Sequence, residues 1–555
     1  MTKRYSNYYL PVIILSGIIF FIPFLGNVHL FDWDEINFAE SAREMIVTGN
    51  YHRVQINFQP FWEKPPLFFW MQVVSMKVFG INEFAARLPN ALIGIISLVT
   101  FYIIGRKHKN ELFGFLWALC YLGSFLPHIY FKSGIIDPVF NYFIFMGVYY
   151  MYRVVDKRSD TLRTKDNYNL FIILSGTFIG LANLTKGPVG LLIFLLTFLI
   201  YFISRRFKGF PSLKQILIFT GCFGIISFFW FGQEVILHGF TFLREFLTYQ
   251  ANLFLHPIAD HGEPFYYHFV VVFFGCFPIS ILALPVLFGS LKSTPDMRPL
   301  LSIQRTLFWV VLILFSLSTT KIIHYSSLTY FPLSFMAAFY VYYLIEERQK
   351  LSTGLAWMLA VVGGLLSLAF TALPFVAIHK EWLIPLLKDP FAVASFKVST
   401  YWGGWEFIFG ILYFIGVIVS LFMIARKKTF QGFLLIFYGM AFFLLFFLAI
   451  VVPKIESYSQ APAINFYKSL EGKDVYVTTF GFKSYAQYFY FKRPAMIKNG
   501  EEEELNYLIT GPIDKPAYFV TKITNTDLPK ACPSCQVIKQ EGGFIFYKRD
   551  AVKAH

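Results

Sequence analysis

Long apolar runs recur along the chain, separated by short polar loops. A membrane helix needs roughly 20 largely apolar residues. Stretches 9–25, 88–104, 170–184, 191–203, 216–231, 269–288, 355–375, 407–424 and 433–452 meet that need directly. Shorter or interrupted runs lie at 112–126, 139–151, 306–318 and 328–345. The pattern predicts a mainly α fold, a polytopic transmembrane helical bundle of about thirteen spans. The first run follows Lys3 and Arg4 without a small-residue cleavage site. It therefore reads as a retained helix, not a removed signal peptide. Past residue 452 the pattern changes. Short alternating runs at 474–478 and 517–521 predict strands. Residues 453–555 are enough for a small α/β domain with its own core. The expected division is a membrane part at 1–452, with a long first outer loop at 27–87, and a C-terminal domain at 453–555.

Composition agrees. The 555 residues are 56% hydrophobic, 20% aromatic and 15% charged, with a mean hydropathy of +0.56. Soluble domains carry about 25% charged residues. A disordered chain, a collagen and a disulfide scaffold are excluded, and a soluble protein is disfavoured. The net charge of +15 would by itself raise the question of nucleic acid. Its placement answers that question. Basic clusters at 3–4, 106–109, 153–165, 205–214, 292–305, 348–350 and 426–428 follow every second run. They hold 22 Lys and Arg against seven acids in the same loops, which is the whole of the +15. Bases concentrate on the cytoplasmic side of membrane proteins. The expectation is a cytoplasmic N-terminus, an outward C-terminus, lipid contact and no nucleic-acid partner. Cys120, Cys222 and Cys276 lie in apolar runs and read as core residues. Cys532 and Cys535 cannot fill a four-ligand zinc site, and a local disulfide is the simplest expectation for an outward tail.

The outer loops carry the candidate chemistry. Asp32 with Glu35 three residues on matches a capping box, and Gly49 a helix stop. Phe38, Ala42, Met45 and Ile46 form one apolar face, so this stretch predicts an amphipathic helix lying along the membrane surface. Acids near a helix start are ordinary. Asp34 and Glu35 gain interest from their place just after the first span, where a lipid-borne substrate presents its headgroup. Glu63 and Lys64 precede Pro65 and Pro66, which suit the first turn of a second surface helix. A cation there can hold a lipid phosphate. Asp137-Pro138 fits a plain N-cap with proline at the first helical position. The loop at 249–267 gathers His256, Asp260, His261 and Glu263, types that bind divalent metals. Lys321, His324 and Tyr325 would share one face of a helix between two spans. Ionisable groups at that depth are costly and usually functional; the plainer reading is that Lys321 snorkels to the interface.

Several segments together resemble a known family. Asp34-Glu35, Glu63-Lys64-Pro65-Pro66-Leu67 and the run from Gly80 through Arg87-Leu88-Pro89 are similar to motifs of the aminoarabinose transferase-like branch of the protein O-mannosyltransferase superfamily. Thr185-Lys186-Gly187-Pro188, the stretch from His261 to Tyr267 and that from Lys321 to Tyr325 resemble it too. The resemblance covers about residues 8–450. It implies an integral-membrane glycosyltransferase of the C-type fold, using a polyprenyl-phosphate sugar donor and no nucleotide or organic cofactor. By position it implies Asp34, Glu35 and Asp137 as the acidic catalytic group, with Lys64, Lys321, His324 and Tyr325 toward the donor phosphate. Glu63 with His261 or His256 would form a divalent-metal site, Zn or Mg. The arginine that related sequences often carry near residues 249–254 has no counterpart here.

The leading expectation is sugar transfer, with inversion, to a lipid A-like, glycan or protein acceptor on the periplasmic face of a bacterial inner membrane, by a monomer. The alternative is a transporter or flippase of lipid-linked sugar without transferase activity; such a protein predicts inverted repeats and broken helices near the midplane. A third option is a non-enzymatic envelope scaffold.

Overall fold

A computed structural model describes residues 6–156, 167–255, 262–289, 291, 297–495 and 500–552. The expected runs fall on helices. In chain order these begin α1 Ser6–Phe21, α2 Asp34–Thr48, α3 Leu67–Phe79, α4 Glu83–His108, α5 Glu111–Leu122, α6 Phe125–Tyr130, α7 Asp137–Val155, α8 Tyr168–Lys186, α9 Val189–Ser204 and α10 Leu213–Leu255. Later helices include Arg298–Leu317, Tyr330–Glu346, Thr353–Ile378, Ile408–Ala425 and Thr429–Ile450.

Among the described residues, eight helices are long and apolar enough to cross a membrane. Nine are reached if Tyr267–Gly275 and Ile279–Leu287, bent by 103°, form one span. Length and composition therefore stop short of thirteen. The helices at the remaining runs are shorter, as α5 is with 12 residues, or more polar, as α7 is with Asp137, Asn141 and Arg153. The outer faces of the long helices stay apolar, with Ile225, Phe228, Phe229 and Ile236 of α10 exposed. Such a surface is stable against lipid and not against water.

α2 packs on α3, α3 on α4, and α7 and α10 both on α8. α10 is interrupted at Gly239, whose φ of 72° no helix accommodates. Near the C-terminus four strands make a mixed sheet: β3 Tyr476–Thr479, β4 Ala517–Lys522, β5 Gln536–Glu541 and β6 Phe544–Arg549, with β1 and β2 the short pair Gln55–Ile56 and Gln59–Pro60. The order is β3-β4-β6-β5, with β3 parallel to β4 and the rest antiparallel. Ala517 pairs with both Tyr476 and Arg549. One cluster about Leu508, Ile513 and Phe519 belongs to this region alone. Val520 and Phe546 join the main core. The sheet thus rests one side on the helical body. Cys532 and Cys535 are disulfide-bonded. Cys120 and Cys276 are buried, and Cys222 is half-buried.

The surface-helix expectation for α2 fails. Residues Glu35 through Met45 are all buried, Glu40 and Glu44 among them. The polar face is covered from the C-terminal side, where Arg43 donates to the carbonyl of Arg493 at 3.1 Å. Nor is Glu501–Glu504 simply a solvated run: Glu504 is buried on Arg493, and Glu501 accepts from Tyr488 at 2.9 Å.

Candidate active site

Six segments converge on one group of polar side chains. Asp34 opens α2, with Trp33 before it and no side-chain cap, so the capping box with Asp32 does not form. Asp32 instead accepts from the backbone N–H of Tyr485 at 3.2 Å. Asp137 is the first residue of α7, Ile136 holds the cap position, and no side-chain cap is made. The plain N-cap reading is thereby corrected. The Asp137 carboxylate instead faces Lys186, 2.5 Å away. His324 stands between the two acids, its Nε2 3.5 Å from Asp34 and 3.7 Å from Asp137.

Lys186 ends α8. The turn that frees it depends on Gly187, at φ 94°; a Cβ there would come within 2.8 Å of the Phe246 ring. Its ammonium lies over the Tyr325 ring at 4.8 Å. Lys64 lies over the Tyr249 ring at 5.0 Å. Gln250 donates to the Glu63 carbonyl at 3.2 Å. Burial pulls the Lys64 ammonium below the usual lysine range; Glu63 opposes this, Lys186 adds to it, and Asp34 and Asp137 oppose it further. Lys64 is therefore within electrostatic reach of the whole group. Helix α3 begins only at Leu67, so Pro65 and Pro66 precede its first turn.

A cavity of about 310 Å³ opens from this group. Its lining combines Asp137, Asn141, Lys186, Gln250, Ser318 and Tyr325 with apolar side chains that include Leu192, Leu247 and Phe315. Charged groups set among apolar side chains suit an anionic headgroup on a lipid chain. On the other side Asp34 is open, its side chain 40% exposed. Trp33 beside it is 45% exposed. The Lys483 ammonium lies 5.3 Å from the Trp33 ring and 5.5 Å from that of Tyr485.

Other candidates sit elsewhere. Glu35 is buried and paired with Arg87 at 2.6 Å. Its second oxygen accepts from Arg87 Nε at 3.0 Å and from the Gly134 N–H. This carboxylate is taken up by Arg87 and by the N–H groups of Phe31 and Gly134, and so anchors the loop that carries its neighbour. Lys321, His324 and Tyr325 do not share one helical face. The chain is extended at Ile322 and turns into a 3₁₀ helix only at Ile323. The Lys321 ammonium is buried on the Ser318 carbonyl at 2.6 Å. His256, Asp260 and His261 lie outside the described residues. Among the described residues no group of three or more His, Cys, Asp or Glu side chains is set to hold a metal.

Lys186 was quoted from the sequence only as part of a motif and given no role, and Tyr249 and Lys483 were not singled out. A signal existed for Lys186: it is a base in a tight turn between two apolar runs, within Thr185-Lys186-Gly187-Pro188.

Residues 63–230 match the family model for dolichyl-phosphate-mannose-protein mannosyltransferases. An uncharacterized protein of Aquifex aeolicus is 31% identical over 335 residues, 60% of this chain and 72% of that one. The undecaprenyl phosphate-alpha-4-amino-4-deoxy-L-arabinose arabinosyl transferase of Wigglesworthia glossinidia brevipalpis is 24% identical over 67% of this chain and 64% of its own. The fold matches that of ArnT from Cupriavidus metallidurans bound to undecaprenyl phosphate, with a TM-score of 0.75 at 17% identity over 99% of this chain and 98% of that one. The chain belongs to the aminoarabinose transferase-like branch of the protein O-mannosyltransferase superfamily, membrane glycosyltransferases of the C-type fold that draw sugar from polyprenyl-phosphate carriers.

Proposed function

We propose that this enzyme moves a sugar, aminoarabinose by the names of its relatives, from a polyprenyl-phosphate donor to a lipid A-like acceptor at the periplasmic face of a bacterial inner membrane. The N-terminus is cytoplasmic, residues 453–555 form an outward domain, and the enzyme acts as a monomer. The observation that carries this reading is the cavity lined by Lys186 and Tyr325 beside the open carboxylate of Asp34.

The lipid chain lies along Leu192, Leu247 and Phe315, and its phosphate meets Lys64, Lys186 and Tyr325. The acceptor oxygen attacks the anomeric carbon as the bond from that carbon to the phosphate oxygen breaks. The lipid phosphate leaves with the electron pair, and the three donors stabilise its charge. Asp34 orients the acceptor and takes its proton where it has one to lose. His324, between Asp34 and Asp137, keeps the two carboxylates apart and Asp34 aimed. Attack opposite to the leaving phosphate brings the acceptor in past Trp33 and Lys483, with inversion. An indole face and an ammonium there suit a sugar ring that carries an anionic group.

The test uses the purified full chain in liposomes, with undecaprenyl-phosphate aminoarabinose as donor and lipid A as acceptor. Asp34→Asn should lose at least about 100-fold in transfer yet still bind undecaprenyl phosphate. Lys64→Ala should lose both. Full transfer by both variants, or lipid movement without any sugar product, sinks the assignment.

A further inference from the structure

Two histidines close on one buried glutamate outside the group just described. Glu234 is 1% exposed and stands on α10, five residues before the break at Gly239. Its Oε2 lies 2.9 Å from Nδ1 of His238, one turn along the same helix. Its Oε1 lies 3.2 Å from Nε2 of His52, on the loop between α2 and α3, an ion-pair distance at which neither atom makes a hydrogen bond. Among the described residues no lysine or arginine reaches this carboxylate. Arg53 neighbours His52 without pairing to it, Lys77 of α3 sits over the Tyr51 ring at 4.3 Å, and Arg244 and Glu245 lie further along α10. A lone carboxylate buried in a helix of membrane-spanning character is costly and needs a reason.

The reason lies in what the contact joins. Trp230 of α10 donates to the His52 carbonyl at 3.0 Å. Trp62 packs its ring on His238 and on Phe242. The very next residues of the loop are Glu63 and Lys64. Past the break, the same helix carries Tyr249 and Gln250, which meet Lys64 and the Glu63 carbonyl. The loop therefore touches α10 twice, once at the histidines and once at the phosphate-binding wall.

We propose that His52, Glu234 and His238 form a clasp that positions Glu63 and Lys64 for donor binding and makes that binding depend on pH. This rests on the donor-site reading above. None of the three touches substrate, so they are positioning residues. An imidazole that carries a proton adds the attraction of opposite charges to its contact with a carboxylate. Histidine changes charge between about pH 5 and pH 8. His52 and His238 are each 29% exposed, so protons reach them. The clasp is tightest when Glu234 is ionised and one imidazole is charged, and it slackens as the solution turns alkaline.

The experiment measures undecaprenyl phosphate binding to the full chain in nanodiscs at about pH 6 and about pH 8. The phosphate's own second ionisation acts alike on wild type and variant, so the readout is their ratio. Glu234→Gln should bind roughly fivefold more weakly than wild type at the acid value, with the ratio shrinking toward one at the alkaline value. His52→Gln, on the loop side, should show part of the same effect and carries the test if the helix variant does not fold. A ratio of one at both values, or an equal loss at both, overturns the proposal. Lys64→Ala is the control for the donor site: if it binds as wild type does, the donor reading fails, whereas a weakened Lys64→Ala beside an unchanged Glu234→Gln removes the clasp alone.

Discussion

Replacing Arg87 by methionine should cost more than any other single change in the first outer loop. The guanidinium donates to both oxygens of Glu35 and to the carbonyls of Leu25, Val28 and His29, all between 2.6 and 3.0 Å. Both side chains are 5% exposed. Methionine fills the volume and removes every donor. Taking one partner from a buried ion pair costs about 3–5 kcal/mol, because the other charge stays buried. At about 2.1 cal/mol/K per residue, unfolding of 555 residues as one unit carries about 1.2 kcal/mol/K of entropy. A loss of about 4 kcal/mol then lowers the melting temperature by about 3 °C. Thermal unfolding in detergent, followed by fluorescence, measures this. A second variant, Glu35→Gln with Arg87→Met, should recover about half the loss, since no charge is left unpaired. The pair also has a pH signature. Burial acts to raise the Glu35 carboxyl, but Arg87 and the N–H groups of Phe31 and Gly134 prevail and hold it below the usual range. Its contribution is therefore present above the ordinary value of 4.5 and is lost as pH falls through the folded value. Arg87→Met should erase that acid-sensitive part. A melting temperature within about 1 °C of wild type, or a double variant worse than the single one, refutes the anchor role.

Two further outcomes follow from the same geometry. Trp33→Ala and Lys483→Ala should each raise KM for a phosphorylated acceptor by about tenfold, about 1.4 kcal/mol, and leave undecaprenyl phosphate binding unchanged; steady-state kinetics with acceptor varied checks this. Glu44, by burial and by the neighbouring Glu40, is pushed up to about 9 from 4.5. Its unfolded form ionises first, so stability falls as pH rises from about 4.5 to about 9. Glu44→Gln should flatten that decline, and thermal melts across the range show it; a steeper decline in the variant overturns the assignment.

The helical body was legible because lipid imposes one simple rule, long apolar runs bounded by charge. The motif acids were legible for their place, less so for their work. Asp34 and Glu35 are adjacent letters, yet one opens to solvent and the other is locked on Arg87. Which is which depends on the direction of the helix start, and a cap at Trp33 instead of Asp32 decides it. The polar face of α2 resembled a solvent face because its covering residues lie some 450 positions further on. Lys321 was grouped with Tyr325 on the assumption of an α-helix. An extended residue and a tighter 3₁₀ turn send its ammonium to Ser318.

The residues around Asp34 are held by the C-terminal part of the chain. Leu30 donates to Tyr490, the Asp32 N–H to Gln460, the Tyr485 N–H back to Asp32, and His29 pairs with Glu456. During synthesis the helices can enter the membrane one after another, yet none of these contacts can exist until more than four hundred further residues have been made. The ribosome thus finishes the last long apolar helix, Thr429–Ile450, before it makes any of the residues that hold this loop. A chain cut short before residue 456 would keep its long apolar helices and lack every one of these contacts around Asp34. The loop that leads into Asp34 is therefore set only once Tyr490 has been made.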